Sequence, residues 1–161
     1  MKNEAVTEYI YKDVMLKIPY KWAAGEYMGE FLTQLKVSGK IYSNRCPNCG
    51  RYSCPPRPVC GVCHTKTEPR DKWKAIGPQG TLLGFCVTEQ SFMVPNTGKM
   101  LEVPYSIGII QLDGAPVTLQ HRLAESDPEK LKPGMRVEAV FKPRKERKGD
   151  IFDIIHFKTI A

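Results

Sequence analysis

The sequence predicts a mainly β protein with one amphipathic helix near its N-terminus, a small cysteine-rich module and a five-stranded barrel. Three observations predict this class. Apolar residues recur at helical spacing before residue 40, two Cys-x-x-Cys pairs lie between residues 46 and 63, and short apolar runs separated by turn residues follow residue 76. We therefore divide the chain into an N-terminal arm and helix (1–41), a metal-stapled ribbon (42–75) and a barrel (76–161).

Length and composition limit the class of protein. The 161 residues, 42% of them hydrophobic and 25% charged, suit one ordinary domain with a small appendage. No apolar run approaches the roughly 20 residues that cross a bilayer, and the first residues, MKNEAVTEYIYKDVMLK, lack the features of a secretory signal. We expect a cytoplasmic protein with reduced cysteines, which favours metal binding over disulfides. The net charge of +7 indicates attraction to polyanions without choosing among them.

The N-terminal part predicts an extended arm followed by a helix. Pro19 opposes an early helix, and Trp22 adds aromatic bulk just before residues 23–36, which have helical periodicity. Gly39 is placed to end the helix. One face carries the apolar side chains of Met28, Phe31, Leu32 and Leu35. Because a ribbon with almost no apolar core cannot cover this face fully, we expect part of it to dock on another chain.

The cysteine spacing predicts a structural zinc site. Cys46 and Cys49 form one pair, Cys60 and Cys63 form the other, and ten residues separate the pairs. Two tight turns of this kind present four thiolates to one ion in a tetrahedron. Four cysteine ligands leave no coordination position for water or substrate, so the site is expected to be structural. Zinc binding would contribute on the order of 10 kcal/mol to folding of this module.

Two other interpretations of the cysteines are considered. A thioredoxin-type redox pair is disfavoured because the chain lacks the alternating strands and helices that surround such a pair. An iron centre with four thiolates stays open, since spacing alone does not separate iron from zinc. Cys54, between the pairs, is interpreted as a spare thiol in a loop, and His64 as a surface residue.

Five apolar segments after residue 80 predict the barrel strands. They cover residues 81–92, 105–112, 116–123, 136–142 and 151–158. Asp113-Gly114 is a strong hairpin turn, and residues 126–129, with Pro128 near the first helical position, predict a short helical turn. Five strands with a helical piece between the third and fourth fit a closed or partly closed barrel of the OB type. Periodicity alone leaves an open five-stranded sheet as the alternative.

The sequence offers no convincing catalytic set. Cys86 lies within a predicted strand and is expected to be a small buried residue, although a free-standing enzyme that uses Cys86 is the third function we considered. His121 and His156 lie in strands without recognisable partners. The chain therefore does not predict an independent active site.

A second function is suggested by the barrel and the charge. Zinc ribbons and OB barrels both occur in modules that bind single-stranded nucleic acid, and residues 142–149 form a basic run. Such a run is more often a solvated hairpin tip than a phosphate contact. The second and third predicted strands contain only Tyr105 for base stacking, so the sequence disfavours binding of single-stranded nucleic acid.

Several motifs resemble a known family. The most specific are RCPNCGRYSCPPRPVC (45–60) and IGPQGTLLGF (76–85), and the resemblance spans roughly residues 20–160. These motifs resemble those of bacterial and archaeal acyl-CoA-associated proteins built from a rubredoxin-like zinc ribbon and an OB fold. Members of that family are accessory subunits of thiolase-like enzymes. Cys54 departs from the aromatic or aliphatic residue common there, and the ending DIIHFK is atypical.

The resemblance implies a partner and a shared substrate. A thiolase-like catalytic subunit would supply the catalytic cysteine and histidines, and the complex would act on CoA thioesters. We expect the basic residues Arg144, Lys145 and Arg147 to lie near the 3′-phosphate and pyrophosphate of CoA held between the subunits.

Overall fold

The computed structural model describes residues 12, 21, 23–93 and 98–160 and contains one helix, a ribbon and a barrel there. The elements are α1 (Gly25–Ser38), the ribbon strands β1 (Ile41–Arg45), β2 (Tyr52–Ser53) and β3 (Lys74–Ile76), and the barrel strands β4 (Gln79–Thr88), β5 (Tyr105–Leu112), β6 (Thr118–Arg122), β7 (Arg136–Phe141) and β8 (Ile154–Thr159). Short 3₁₀ turns cover Arg70–Lys72, Arg144–Glu146 and Ile151–Asp153. The predicted fold class is confirmed. Pro19 and Trp22 of the expected arm lie outside the described residues.

Helix α1 ends where the backbone turns left-handed at Gly39. Its φ is 64°, and its N–H donates to the carbonyls of Gln34 and Leu35. A Cβ at this position would lie 2.6 Å from a guanidinium nitrogen of Arg147. The left-handed backbone angle therefore favours glycine, and a larger residue would also displace the guanidinium of Arg147. In the described part of the chain, no helix has the length and apolar character needed to cross a membrane.

The apolar face of α1 packs inside the chain. Phe31 and Leu35 have 0% exposure and belong to the same core as the barrel residues. The expectation that this face docks on another chain is wrong for these two residues, because both are fully buried within this chain. The elements that α1 contacts include β1 and the turn Ile151–Asp153. Leu32 is half-buried against the same core, and Met28 stays 36% exposed. The helix thus lies on the surface and packs one narrow face, Phe31 and Leu35, on the core of its own chain.

The ribbon is a three-stranded antiparallel sheet in the order β2-β1-β3. Ile41 on β1 pairs with Ile76 on β3, and both side chains are buried in the common core. Asn44, also buried, donates from Nδ2 to the carbonyl of Arg57 at 2.8 Å and to Oγ1 of Thr67 at 2.7 Å. These bonds tie the segment that leads to the second cysteine pair onto β1.

The barrel sheet has the order β6-β5-β4-β7-β8, with antiparallel neighbours. A parallel bridge between Leu123 and Phe157, with the N–H of Ala124 donating to the carbonyl of Phe157 at 2.8 Å, joins β6 to β8. This contact closes the barrel, so the open-sheet alternative is wrong. In place of the helical turn expected at residues 126–129, the structure has a turn at 127–130 without a helix. The N–H of Lys130 donates to the carbonyl of Asp127 at 3.2 Å, and Asp127 Oδ1 accepts from the N–H of Glu129 at 3.0 Å.

A β-bulge in β4 changes which side chains face outward. The register with β5 shifts between Leu82 and Gly84. Leu82 is fully buried, and without the bulge Cys86 would share its inward face. The extra residue places Cys86 opposite the exposed Ile107, and the thiol is exposed. The prediction that Cys86 is buried is wrong for this reason.

His121 lies in the interior of the barrel on β6. Its Nε2 is 3.4 Å from the carbonyl of Ile151, and its ring meets the ring of Phe157 edge-on at 5.8 Å. The Nδ1 atom is buried and has no hydrogen-bond partner among the described residues. Burial lowers the pKa of His121 below its ordinary value of 6.5.

This burial predicts a pH dependence of stability. Because the pKa of His121 is lower in the folded state, the unfolded state binds more protons below about pH 6.5, and stability is lost as the pH falls through this range. We expect His121→Leu to reduce the slope of the free energy of unfolding between about pH 7 and about pH 5. His64→Asn is the control, since His64 is exposed and asparagine tolerates its left-handed backbone. An unchanged slope in His121→Leu would contradict this account.

Candidate metal centre

The four paired cysteines converge on one point. The Sγ atoms of Cys46, Cys49, Cys60 and Cys63 all lie within 4.8 Å of one another. The separation is 3.3 Å between Cys46 and Cys63 and 3.7 Å between Cys49 and Cys60. A tetrahedral ion with metal–sulfur distances of about 2.3 Å holds its sulfurs about 3.8 Å apart. The donor set and its spacing therefore fit one tetrahedral ion.

Two turns with the same hydrogen-bond pattern present the sulfurs. The N–H of each leading cysteine, Cys46 and Cys60, donates to the carbonyl five residues later at 2.8 and 2.9 Å. The residue four positions later, Gly50 or His64, donates its N–H back to the cysteine carbonyl at 2.9 and 3.1 Å. Gly50 and His64 have φ of 73° and 53°. His64 thus fills the left-handed position of its turn and is exposed, not a ligand.

Hydrogen bonds favour the thiolate form at two of the four cysteines, Cys46 and Cys63. At Cys49 the backbone hydrogen bond at Arg51 lowers the pKa, but burial and the neighbouring cysteines outweigh it and raise the pKa to about 11. Thr65 Oγ1 lies 3.4 Å from the sulfurs of both Cys46 and Cys63. Its hydrogen bond lowers the pKa of Cys63 to about 5. The same hydroxyl, followed by the backbone N–H of Cys49, lowers the pKa of Cys46. Thiolates are the form that binds metal, so these donors suit a metal centre. Sequence reasoning missed Thr65, whose only signal was its place two residues after Cys63.

Burial separates the leading cysteines from the following ones. Cys46 and Cys60 are buried, Cys49 is exposed and Cys63 is half-buried. Cys54 lies outside the cluster and packs against the hydrophobic core, where burial raises the pKa of its thiol to about 12. It therefore lacks the thiolate character of a ligand or nucleophile. Among the described residues, the four sulfurs form a closed set with no open coordination position.

The basic loop between β7 and β8 is shaped by Asp153. Burial raises the pKa of this fully buried carboxyl, but hydrogen bonds from the backbone N–H groups of Lys148, Gly149 and Asp150 outweigh it and lower the pKa below its ordinary value. The three N–H to carboxylate distances are 3.0, 2.7 and 3.2 Å. A charged acceptor with three donors holds the loop in one conformation.

The three basic residues expected near CoA have different surroundings. Arg144 and Lys145 are exposed on the turn Arg144–Glu146. Arg147 is half-buried, donates from Nε to the carbonyl of Lys142 at 2.8 Å and lies over the ring of Phe141 at 5.5 Å. Its guanidinium also packs on the end of α1. Arg147 is therefore engaged within the chain, whereas the other two are open to solvent.

The structure does not assemble the residues considered for catalysis. Cys86 is exposed on β4, and His121 is buried inside the barrel. His156 is half-buried on β8, and burial lowers its pKa. In the part of the chain that the structure describes, Cys86 has no histidine or carboxylate as a hydrogen-bond partner.

Comparison with known proteins matches both modules. Family models for the rubredoxin-like zinc ribbon domain of ChsH2 and for its C-terminal OB-fold domain match residues 36–68 and 73–142. A DUF35 domain-containing scaffold protein of Methanocaldococcus jannaschii is 36% identical over 107 residues, which cover 66% of this chain and 70% of that one. The chain belongs to the DUF35 family. A second DUF35 domain-containing scaffold protein, from Pyrococcus furiosus, is 27% identical over 66% of this chain and 72% of its own.

Solved structures show the same fold in other DUF35 proteins. One is described as Ltp2-ChsH2(DUF35) aldolase, with a TM-score of 0.58, 18% identity and coverage of 86% of this chain and 98% of that chain. A DUF35 protein of unknown function from Sulfolobus solfataricus has a TM-score of 0.54 and 18% identity, and covers 84% of this chain and 83% of its own. The ribbon and barrel are thus the fold of the family.

The geometry predicts that the four cysteines act as one unit. We expect Cys60→Ser to lower bound zinc from one ion per chain to a small fraction and to unfold the ribbon, because the module has little other support. Cys86→Ser is the matched control and should keep both zinc and fold. Metal analysis and circular dichroism of the purified variants measure these results. Full zinc content in Cys60→Ser would contradict the prediction.

Proposed function

We propose that this DUF35 protein is a zinc-binding accessory subunit of a thiolase- or acyltransferase-type complex that acts on CoA thioesters. The observation that carries the proposal is the closed set of four cysteine sulfurs in a chain whose described residues assemble no catalytic constellation. Such a site supports structure. In this proposal the chemistry belongs to another subunit. The descriptions of the relatives as scaffold proteins, and of one structural neighbour as an Ltp2-ChsH2(DUF35) aldolase, support the same role.

Within this proposal, zinc is structural and the partner supplies the catalytic residues. The N-terminal arm and the basic barrel loop resemble the small subunit of benzoylsuccinyl-CoA thiolase, from anaerobic toluene degradation, and we propose that enzyme as a specific case. We therefore propose a thiolase-like partner and a CoA thioester as the shared substrate of the complex. Phe31 and Leu35 are buried within this chain and do not belong to the docking site.

Purification from the native host tests the proposal. The chain, isolated without denaturation, is expected to co-elute with a thiolase-like subunit and to carry one zinc ion per copy. The absorption spectrum distinguishes the metal, because a four-thiolate iron site absorbs visible light and a zinc site does not. Isolation of the chain with nucleic acid alone, or turnover of a CoA thioester by the chain alone, would overturn the proposed role.

We further propose that Arg144 and Lys145 contact the phosphates of CoA in the complex. Both are exposed, whereas Arg147 is held by contacts within the chain. We expect the double variant Arg144→Glu, Lys145→Glu to weaken binding of adenosine 3′,5′-bisphosphate to the complex by about tenfold or more, because two favourable charge contacts become repulsive.

Lys132→Glu is the control for the charge-reversal experiment. Lys132 is exposed in a different loop, so its reversal changes the net charge without changing the proposed contact. Isothermal titration with the assembled complex measures the affinity. Equal affinities in the double variant and the parent complex would mean that these residues do not contact CoA.

A further inference from the structure

One outer surface of the barrel is unusually apolar. The β-bulge exposes Leu83, and the register places Cys86 opposite Ile107 and Gly84 opposite Ile109. These side chains therefore share the outward face of β4 and β5. Every second residue of β5 faces inward and is buried, and the residues between them face outward. In an ordinary half-exposed strand the outward positions carry polar side chains. Here the outward positions Ile107 and Ile109 are branched apolar residues.

The apolar surface continues along the hairpin that joins β4 to β5. Phe92 meets the ring of Tyr105 edge-on at 6.5 Å, and its carbonyl accepts from the N–H of Leu101 at 2.9 Å. Met93 and Met100 form an antiparallel bridge next to this pair. The sheet face and the hairpin thus form one surface, here called the outer apolar face. Its large exposed members are Leu83, Phe92, Met93, Met100, Val103, Ile107 and Ile109.

The outer apolar face combines several large exposed apolar side chains. Its seven large side chains are between 39% and 62% exposed. The largest apolar patch on a monomeric protein is often functional, and a partner contributes roughly 800 Å² to a standard interface. Two of the members are methionines, whose flexible side chains adapt to the surface of a partner.

The charges on the three strands distinguish among possible occupants. Arg122 is the one lysine, arginine, aspartate or glutamate on β4, β5 and β6, and its guanidinium lies over the ring of Tyr105 at 5.6 Å. A nucleic acid strand requires several cations along its path, and these strands offer one. The hairpin that belongs to this face adds the exposed carboxylates Glu89 and Glu102, which further disfavour a nucleic acid strand. The occupant is therefore a protein surface, and the proposed function supplies the partner.

We infer that the outer apolar face is the surface on which the catalytic subunit docks. The matching surface of that subunit is apolar at its centre and carries a carboxylate for Arg122. The inference rests on the proposed function, which supplies the partner, and replaces the helix face with the sheet face as the contact. It also gives Cys86 a position at the centre of the interface, opposite Ile107.

A pair of matched variants tests the inference. Ile107 on the outer apolar face and Ile155 on β8 are 40% and 42% exposed. Ile107→Glu is expected to weaken the affinity of the zinc-loaded chain for its co-purified catalytic subunit by roughly 30-fold, the effect of losing a central interface residue. Ile155→Glu should bind as the parent does. Zinc content and circular dichroism confirm that both variants fold. Equal affinity of Ile107→Glu and the parent would overturn the inference.

The alkylation rate of Cys86 tests the same docking surface in the unmutated chain. Cys86 is exposed, Cys54 is buried, and the remaining four cysteines form the metal centre. Iodoacetamide should modify Cys86 rapidly in the free chain and at least about tenfold more slowly in the complex, as expected for a residue at a desolvated interface centre. Protection by a single-stranded oligonucleotide, or by raised concentration of the free chain alone, would instead assign the face to nucleic acid or to a second copy.

The two proposals fail in different ways. If no thiolase-like subunit co-purifies, the proposed function fails and the inference fails with it. If the subunit co-purifies but Cys86 reacts equally fast in the complex and in the free chain, the accessory role stands and the outer apolar face is not the docking surface.

Discussion

The fold depends on the convergence of four cysteine sulfurs in a module that has almost no apolar core of its own. Cys46 directly follows β1, and β1 carries Ile41 into the core shared with the barrel. The same strand pairs with β3, which leads into β4, and it covers the buried side of α1. The four-cysteine centre at the end of β1 is therefore connected through this strand to the helix and to the barrel. The hydrogen bonds of Asn44 extend it to the second cysteine pair.

The residues that support the fold are separate from the surfaces proposed to bind a partner and its substrate. The sulfurs occupy the tips of two tight turns, the barrel encloses the apolar core, and the outer apolar face and the basic loop stay on the surface. The loop is held by a buried carboxylate, and Arg147 joins it to the end of α1. A rigid platform of this kind suits a subunit whose contribution is to position a partner and its substrate.

The sequence was informative where local patterns decide the structure. The bounds of β5, the end of α1 at Gly39 and the grouping of the cysteines follow from alternation, glycine conformation and ligand spacing. It was uninformative where tertiary contacts decide. The bulge that turns Cys86 outward leaves no clear local signal, and the burial of the α1 face depends on β1 and on a turn more than one hundred residues away. The contacts of Arg147 across the chain escaped prediction for the same reason.

Hydrogen–deuterium exchange before and after metal removal tests the central claim that the four-cysteine centre holds the ribbon on the barrel. With zinc bound, the N–H groups of Cys46, Gly50 and Cys60 are hydrogen-bonded and should exchange slowly. After removal by a chelator, the account predicts fast exchange at these amides, while Ile110 in the centre of β5 stays protected. Equal protection of the ribbon amides with and without metal would contradict the claim.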